Sequence, residues 1–434
     1  MNFVVRVCNG GARSGVLQLA SCPAPIETPA LVLPTRKGLP MFITRDLLQS
    51  LPFPDSHIFQ VSPLHFLECP SPKTISSIGG LHQLLGLHDY GFAAVARDSL
   101  VSLPDCQGTN RMGASFDAPS GRRLLKPEEY MELMCSLKPN IWASMADEVP
   151  AWVSEKRNVT SVDRTVRWLD DCISLDPANG AAILGAIVGG SSLEQRRRCA
   201  CEVAKRNVTG FCIGGFGLGE DMEERPALLN AVTYVIHMHG RVLKVEQERV
   251  FRKDALPKEK VRYICGLGLP EEVLQGVHAG IDLFDTTYIY HLTIGGFALV
   301  FPLDDGDGST RDSVPHHEGG DFTKINLRAT IYRKDTSPLV EGCSCYACQH
   351  HTRAYINHLL NVHEMLAQIL LEIHNTHHYL AFFRLIREAI KQGNFEQFRT
   401  NFIAHRRNHL VRFETSMVEV LSGNPPLLVK NCAR

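Results

Sequence analysis

Five apolar runs in the middle of the chain each stop at glycine or at an acid, and helix-like stretches separate most of them. Pro139–Met145 reads as a strand that ends at Ala146-Asp147-Glu148, and Ala181–Val188 as one that ends at Gly189-Gly190. Val208–Ile213 runs into Gly214-Gly215, Val261–Cys265 into Gly266, and Gly280–Phe284 into Asp285. Leu193–Arg206, Pro226–His239 and Pro270–His278 carry helical patterning between them. Uninterrupted apolar strands alternating with helices require a parallel sheet buried on both faces. A doubly wound sheet gathers ligands at one switch point, whereas a closed barrel places functional residues at the end of every strand. Five decorated strand ends therefore predict an α/β fold of the (β/α)8 TIM-barrel type. The first hundred residues are more irregular and supply the early strands and a covering hairpin.

Composition narrows the function. The chain has 434 residues, 44% hydrophobic and 21% charged, ample for a barrel with insertions. A net charge of −1 gives no global field toward nucleic acid or anionic lipid, so any basic surface is local. No run of about eighteen apolar residues is present, which argues against a membrane-spanning helix. The N-terminus lacks the layout of a secretory signal, so the 14 cysteines are expected as thiols or metal ligands in a reducing compartment.

After the strands, Asp304–Asp321 is rich in Gly and Asp without apolar periodicity and reads as a mobile insertion loop. Asp305, Asp307 and Ser309 imitate a calcium loop, but the required Glu is missing. Helices are expected over Thr352–Leu371, Tyr379–Lys391 and Asn394–His405. The expected organisation is a barrel over 1–320, a zinc-binding subdomain over 321–380 and a C-terminal helical part over 381–434 that completes the barrel.

The sharpest local signal is Cys343-Ser-Cys345-Tyr-Ala-Cys348, followed by a long helix and His374. Three thiolates in a tight knuckle plus one imidazole suit one tetrahedral Zn2+ with no open position, hence a structural ion. His350, His351, His363, His377 and His378 compete for the fourth place. Cys199-Ala-Cys201 has ligand-like spacing but lies in a helical run, and reads as two helix positions.

C-x-C-x-x-C with a His 26 residues beyond the last Cys resembles the zinc motif of tRNA-guanine transglycosylases. Further ordered matches support the resemblance over nearly the whole chain: Ala12-Arg13-Ser14-Gly15 with Thr28-Pro29, Asp98-Ser99, Asp147-Glu148 with Arg164, Arg167 and Trp168, and Gly189-Gly190. Gly214–Glu220, Arg262-Tyr263 with Gly266, and Asp282-Leu283-Phe284-Asp285 complete them. The family has a (β/α)8 barrel and exchanges guanine at the tRNA anticodon wobble position for a deazaguanine such as queuine. The resemblance implies Asp285 as aspartyl nucleophile and Asp98 as general acid/base, a two-carboxyl logic like that of retaining glycosidases. It implies a base pocket of Asp147, Gly214, Gly215, Gly217, Tyr263 and Gly266, with Asp147 on the guanine edge and Tyr263 stacking.

This sequence also departs from the family pattern. The family's D-S-G-G-F-Q becomes Asp98-Ser-Leu-Val-Ser-Leu103, its Q-G-G becomes Val188-Gly-Gly190, and its Pro-Thr-Arg turn after the nucleophile is replaced by residues 286–291. Scaffold motifs survive while pocket positions change, which resembles the family's non-catalytic subunits. The resemblance then implies a heterodimer with a homologous catalytic subunit, a tRNA-docking role, and a homodimer when the chain is alone. It also implies a cytoplasmic location with peripheral contact at the mitochondrial outer membrane. The alternative is a self-sufficient base-exchange enzyme using Asp285 and Asp98. Arg384–Arg412, with seven Lys/Arg against two acids, is either a solvated helix face or a phosphate contact for tRNA.

Overall fold

A computed structural model describes residues 1–434 except 21, 68, 99, 101, 119–120, 177–179, 237–251, 255, 304–322 and 405–434. The expected insertion loop and the end of the basic C-terminal segment lie outside the described residues.

Eight parallel chain crossings close into a barrel. The first, β1, is broken at Val32 into Ala30–Leu31 and Leu33–Pro34. The others are β2 (Ile58–Val61), β3 (Gly91–Ala94), β4 (Ile141–Ala143), β5 (Ala182–Ile187), β6 (Gly210–Ile213), β7 (Val261–Ile264) and β8 (Leu283–Phe284). Neighbours in sequence pair throughout, and the two pieces of β1 pair with β8 and with β2, which shuts the ring. All five strands read from the sequence are present, each shorter by a residue or more at one or both ends.

Side chains on a strand alternate faces, so each barrel strand feeds two cores. Ile58, Ala93, Ile141, Ala143, Leu184, Cys212, Val261, Tyr263 and Leu283 fill the interior. Phe59, Phe92, Trp142, Phe211, Ile264 and Phe284 face the surrounding helices. An antiparallel meander of Asn2–Asn9, Ala12–Gln18 and Ile26–Thr28 brings Phe3, Leu17 and Ile26 to the interior cluster, as the expected covering hairpin.

The helices show where local patterning misleads. Pro270–His278 forms over the residues expected, with Pro270 in its first turn, where no donor is lost. The helix expected over Pro226–His239 is instead Arg225–Thr233, followed by a strand at Tyr234–Ile236 paired with Arg252–Asp254. Thr352–Leu371 is two helices, Arg353–Asn361 and Leu366–Gln392, parted where His363 takes a positive φ of 60°. The second continues unbroken through the helix expected at 379–391, and through positions 380 and 381. Its C-terminal half docks on the barrel: Arg387 donates to the Pro29 carbonyl and to Asp55.

At the N-terminal side of β7 and β8, Asp282 is wholly buried and accepts from Arg13 through both carboxylate oxygens. The Arg262 backbone N–H donates to it at 2.7 Å. Removing one partner of a buried pair strands the other charge at a cost of roughly 3–5 kcal/mol. Asp282→Ala should therefore lose stability of that order in urea unfolding; a loss below about 1 kcal/mol would contradict this role.

Candidate functional site

The strand ends converge at the C-terminal mouth of the barrel. Arg97 and Asp98 follow β3, Asp147 and Glu148 follow β4, Gly214–Gly217 follow β6, Gly266 follows β7 and Asp285 follows β8. Asp285 is buried and its Oδ1 accepts from the Gly266 N–H at 2.7 Å. Asp98 is also buried, but His65 Nε2 contacts its Oδ2 at 2.6 Å and the Leu100 N–H donates to its Oδ1 at 2.9 Å. Both oxygens of the expected general acid thus already have partners inside the chain.

Arg97 occupies the space beside these acids. Its Nη1 donates to Glu148 Oε2 at 2.9 Å and to the Phe216 carbonyl at 2.8 Å, and the side chain is 3% exposed. Burial alone would lower the proton affinity of this guanidinium, but the Glu148 and Asp285 carboxylates more than reverse that and raise it. Glu148 Oε2 also accepts from the Gly215 N–H at 2.6 Å. The hollow bordered by Thr35, Gln60, Arg97, Asp98 and Asp285 measures about 10 Å³, room for about one water. A cavity that admits even a benzene ring is ~150 Å³.

The remaining base-pocket positions, Tyr263 apart, are brought to the same mouth but are spent on the protein itself. Asp147 receives Arg157 at 2.6 and 2.8 Å and Arg164 at 3.1 Å, which occupies both oxygens that would read a base edge. The glycine run is gripped from behind: Arg196, buried and stacked 4.2 Å over Phe216, donates to the carbonyls of Gly190, Gly214 and Gly215. Burial lowers its guanidinium to about 10. A Cβ on Gly217 would stand 2.5 Å from the Gly266 carbonyl oxygen, so these two glycines let one loop pass close against the other. Tyr263 points into the barrel interior rather than to the mouth, and burial pushes its hydroxyl far above the usual range. Val188, where the family carries an amide, is buried apolar surface.

A second constellation lies in the region after the barrel. Cys345 caps the short helix Tyr346–His350, its Sγ accepting from the Cys348 N–H, and the long helix delivers His374 from the other side. The ligand atoms of Cys343, Cys345, Cys348 and His374 lie within 4.8 Å of one another and could hold a metal ion. His374 Nδ1 is 3.4 Å from the sulfurs of Cys345 and Cys348 and 4.0 Å from that of Cys343. A tetrahedral zinc site with ordinary bond lengths has S···N edges of roughly 3.6 Å. Nε2 donates to the Leu299 carbonyl at 2.9 Å, which turns the Nδ1 lone pair toward the sulfurs. Burial works against a charged imidazole, yet the Cys343 and Cys348 sulfurs raise His374 to about 10. The neighbouring thiols pull Cys343 down and push Cys345 up. Of the competing histidines, His378 donates Nε2 to the Phe301 carbonyl instead. Cys199 is buried and Cys201 exposed, two faces of one helix rather than a ligand pair.

Sequence reasoning did not find Arg97, Arg196, His65 or the role of Glu148. Their traces in the sequence are a cation immediately before Asp98, an Arg triplet after Gly189-Gly190 and the Asp147-Glu148 pair at a strand end.

Barrel, strand-end acids and a Cys3His cluster define a tRNA-guanine-transglycosylase-type scaffold, and the comparisons agree. The family model described as queuine tRNA-ribosyltransferase matches residues 8–408. The chain is 33% identical to queuine tRNA-ribosyltransferase accessory subunit 2 of Xenopus tropicalis, over 90% of this chain and 96% of that protein. It is 33% identical to the Danio rerio protein of that name, over 94% and 98%, and 30% identical to the human one, over 88% and 93%. The chain belongs to the queuine tRNA-ribosyltransferase family.

Two outcomes follow. Cys345→Ser or His374→Ala should each abolish stoichiometric zinc in elemental analysis and lower the thermal midpoint; full zinc retention in both would contradict the cluster. Glu372, on the long helix, accepts the Phe42 N–H at 2.7 Å, and burial raises its carboxyl from 4.5 to about 7. The folded chain keeps this proton over a range in which the unfolded chain loses it. Stability should fall between about pH 4.5 and 7 by up to roughly 1.4 kcal/mol per pH unit. Glu372→Gln should flatten that slope in denaturation at stepped pH, and an unaltered slope would contradict it.

Proposed function

We propose that this chain is the non-catalytic subunit of a heterodimeric tRNA-guanine transglycosylase. It supports tRNA docking and assembly with a homologous catalytic subunit, which exchanges guanine for queuine at the wobble position. The observation that carries this reading is the mouth of the barrel. The scaffold is kept, but the hollow between Asp98 and Asp285 holds about 10 Å³ and Arg97 stands where a ligand would. The accessory-subunit names of its relatives support the same reading.

The alternative, a self-sufficient enzyme with Asp285 as nucleophile and Asp98 as acid/base, would need both carboxylates free to meet substrate. The Cys3His cluster holds one structural Zn2+ that ties the long helix to the Cys knuckle. Beside it, Tyr346 stacks on His350 at 4.5 Å and His351 on Tyr355 at 5.3 Å, and both tyrosines are exposed. Such an exposed aromatic shelf suits a protein partner, either the catalytic subunit or a second copy of this chain.

The basic C-terminal stretch contributes less to tRNA contact than its composition suggests. Arg384 and Arg387 pair with Asp55, Lys391 with Glu27 and Arg399 with Glu396, while Phe395, Phe398 and Phe402 pack on the core. We place the complex in the cytoplasm with peripheral contact at the mitochondrial outer membrane, on family resemblance. Among the described residues no helix is long and apolar enough to cross a membrane.

The test is labelled-base exchange into tRNA by the chain alone, by the pair, and by the pair carrying Asp285→Asn in this chain. No turnover alone and unchanged turnover by the substituted pair are expected; turnover alone, or its loss in the substituted pair, would overturn the proposal.

A further inference from the structure

Among the described residues, strand Phe297–Leu299 has a neighbouring strand on one edge only. It pairs antiparallel with Lys324–Asn326, and just beyond it the Val300 N–H donates to the Thr323 carbonyl at 2.9 Å. Alternate residues of a strand direct their backbone groups to opposite edges, so Phe297, Leu299 and Phe301 turn theirs away from that partner. Ala298 and Leu299 are wholly buried, where unpaired backbone groups would be costly.

The long helix supplies the missing edge with side chains. Asn375 Oδ1 accepts from the Leu299 N–H at 2.9 Å, and its Nδ2 donates to the Phe297 carbonyl at 3.0 Å and to Thr293 Oγ1 at 3.4 Å. One carboxamide thus makes the two ladder bonds that a residue of a parallel third strand would make. The preceding residue, His374, donates Nε2 to the Leu299 carbonyl at 2.9 Å. Consecutive helix residues therefore grip Leu299 at its N–H and at its C=O. The second grip leaves His374 Nδ1 facing the sulfurs of Cys345 and Cys348 at 3.4 Å. Asn375 is wholly buried, and an amide is tolerated there because its hydrogen bonds are made. Asparagine is also a poor helix former, so its contacts rather than its propensity account for it in mid-helix.

We infer that Asn375 is a positioning residue of the Cys3His centre. It fixes Leu299, Leu299 fixes the His374 ring, and metal affinity follows without contact between Asn375 and the ion. The inference rests on the reading of the cluster as a zinc site.

The test is zinc affinity of the purified full chain, by competition with a chromogenic chelator, together with the visible absorption of the Co2+-loaded chain. Asn375→Ala should lower zinc affinity about 10- to 100-fold and shift the thiolate-to-cobalt and d–d bands. Asn357→Ala is the control. Asn357 is also buried, and its Nδ2 donates to the Leu327 and Ala329 carbonyls at 2.6 and 3.0 Å, away from Leu299. That variant should lower the thermal midpoint yet leave zinc affinity and the cobalt bands unchanged. Unchanged affinity in Asn375→Ala, or an equal loss in Asn357→Ala, overturns the inference. If the Asn375→Ala chain does not fold, Thr293→Val decides, since it removes one partner of the amide and keeps the shape. A lowered affinity with shifted bands then supports the inference, and wild-type behaviour overturns it. A wild-type chain without stoichiometric zinc would sink the zinc reading and this inference with it, whereas wild-type zinc with an indifferent Asn375→Ala sinks this inference alone.

Discussion

One buried cation sets the character of the barrel mouth. Two carboxylates, Glu148 and Asp285, are drawn out of water by the closure of eight strands, and charges in that position demand a partner. Arg97 supplies it from within the chain. With that partner in place, the loops after β6 and β7 close on each other, Gly215 and Gly266 donate their N–H groups to the same acids, and the remaining space shrinks to the size of a water. A mouth so satisfied is a stable end to the barrel and a poor receptor for a purine.

The same principle governs the rest of the polar inventory. Asp147 is neutralised by Arg157 and Arg164, Asp98 is held by His65, and the carbonyls of the glycine run are taken by Arg196. Polar groups that an open site would offer to a ligand are committed inside the protein. The Cys3His cluster, by contrast, could hold a metal ion: His374 is oriented by the Leu299 carbonyl, and its Nδ1 faces three sulfurs at 3.4–4.0 Å. Scaffold and Cys3His cluster are retained while the cavity is filled, a division of labour that fits a partner subunit.

Much of this was legible in the sequence. Strand positions followed from apolar runs, because parallel strands buried on both faces leave a continuous signal. Thiol spacing picked the knuckle, and the substitutions at Leu100 and Val188 signalled a changed pocket. What stayed hidden depends on contacts distant in the chain. Arg97 reaches Glu148 across 51 positions, and Arg13 reaches Asp282 across 269, so no local pattern reports either pair. Asp282 and Asp285 stand in one short motif, yet one locks the bottom of the barrel and the other faces its mouth. Tyr263 suggested a stacking face, but the two-residue period of β7 turns it into the interior. The helix errors were local: a Val-Thr-Tyr-Val-Ile run after Ala231 favours strand, and His363 breaks an otherwise continuous periodicity.

The account turns on whether the isolated chain can hold a base at all. Titration calorimetry of the purified chain with guanine and with queuine measures this directly. The filled mouth predicts no binding heat up to the solubility limit of either base; a saturable one-to-one isotherm at micromolar affinity would contradict it.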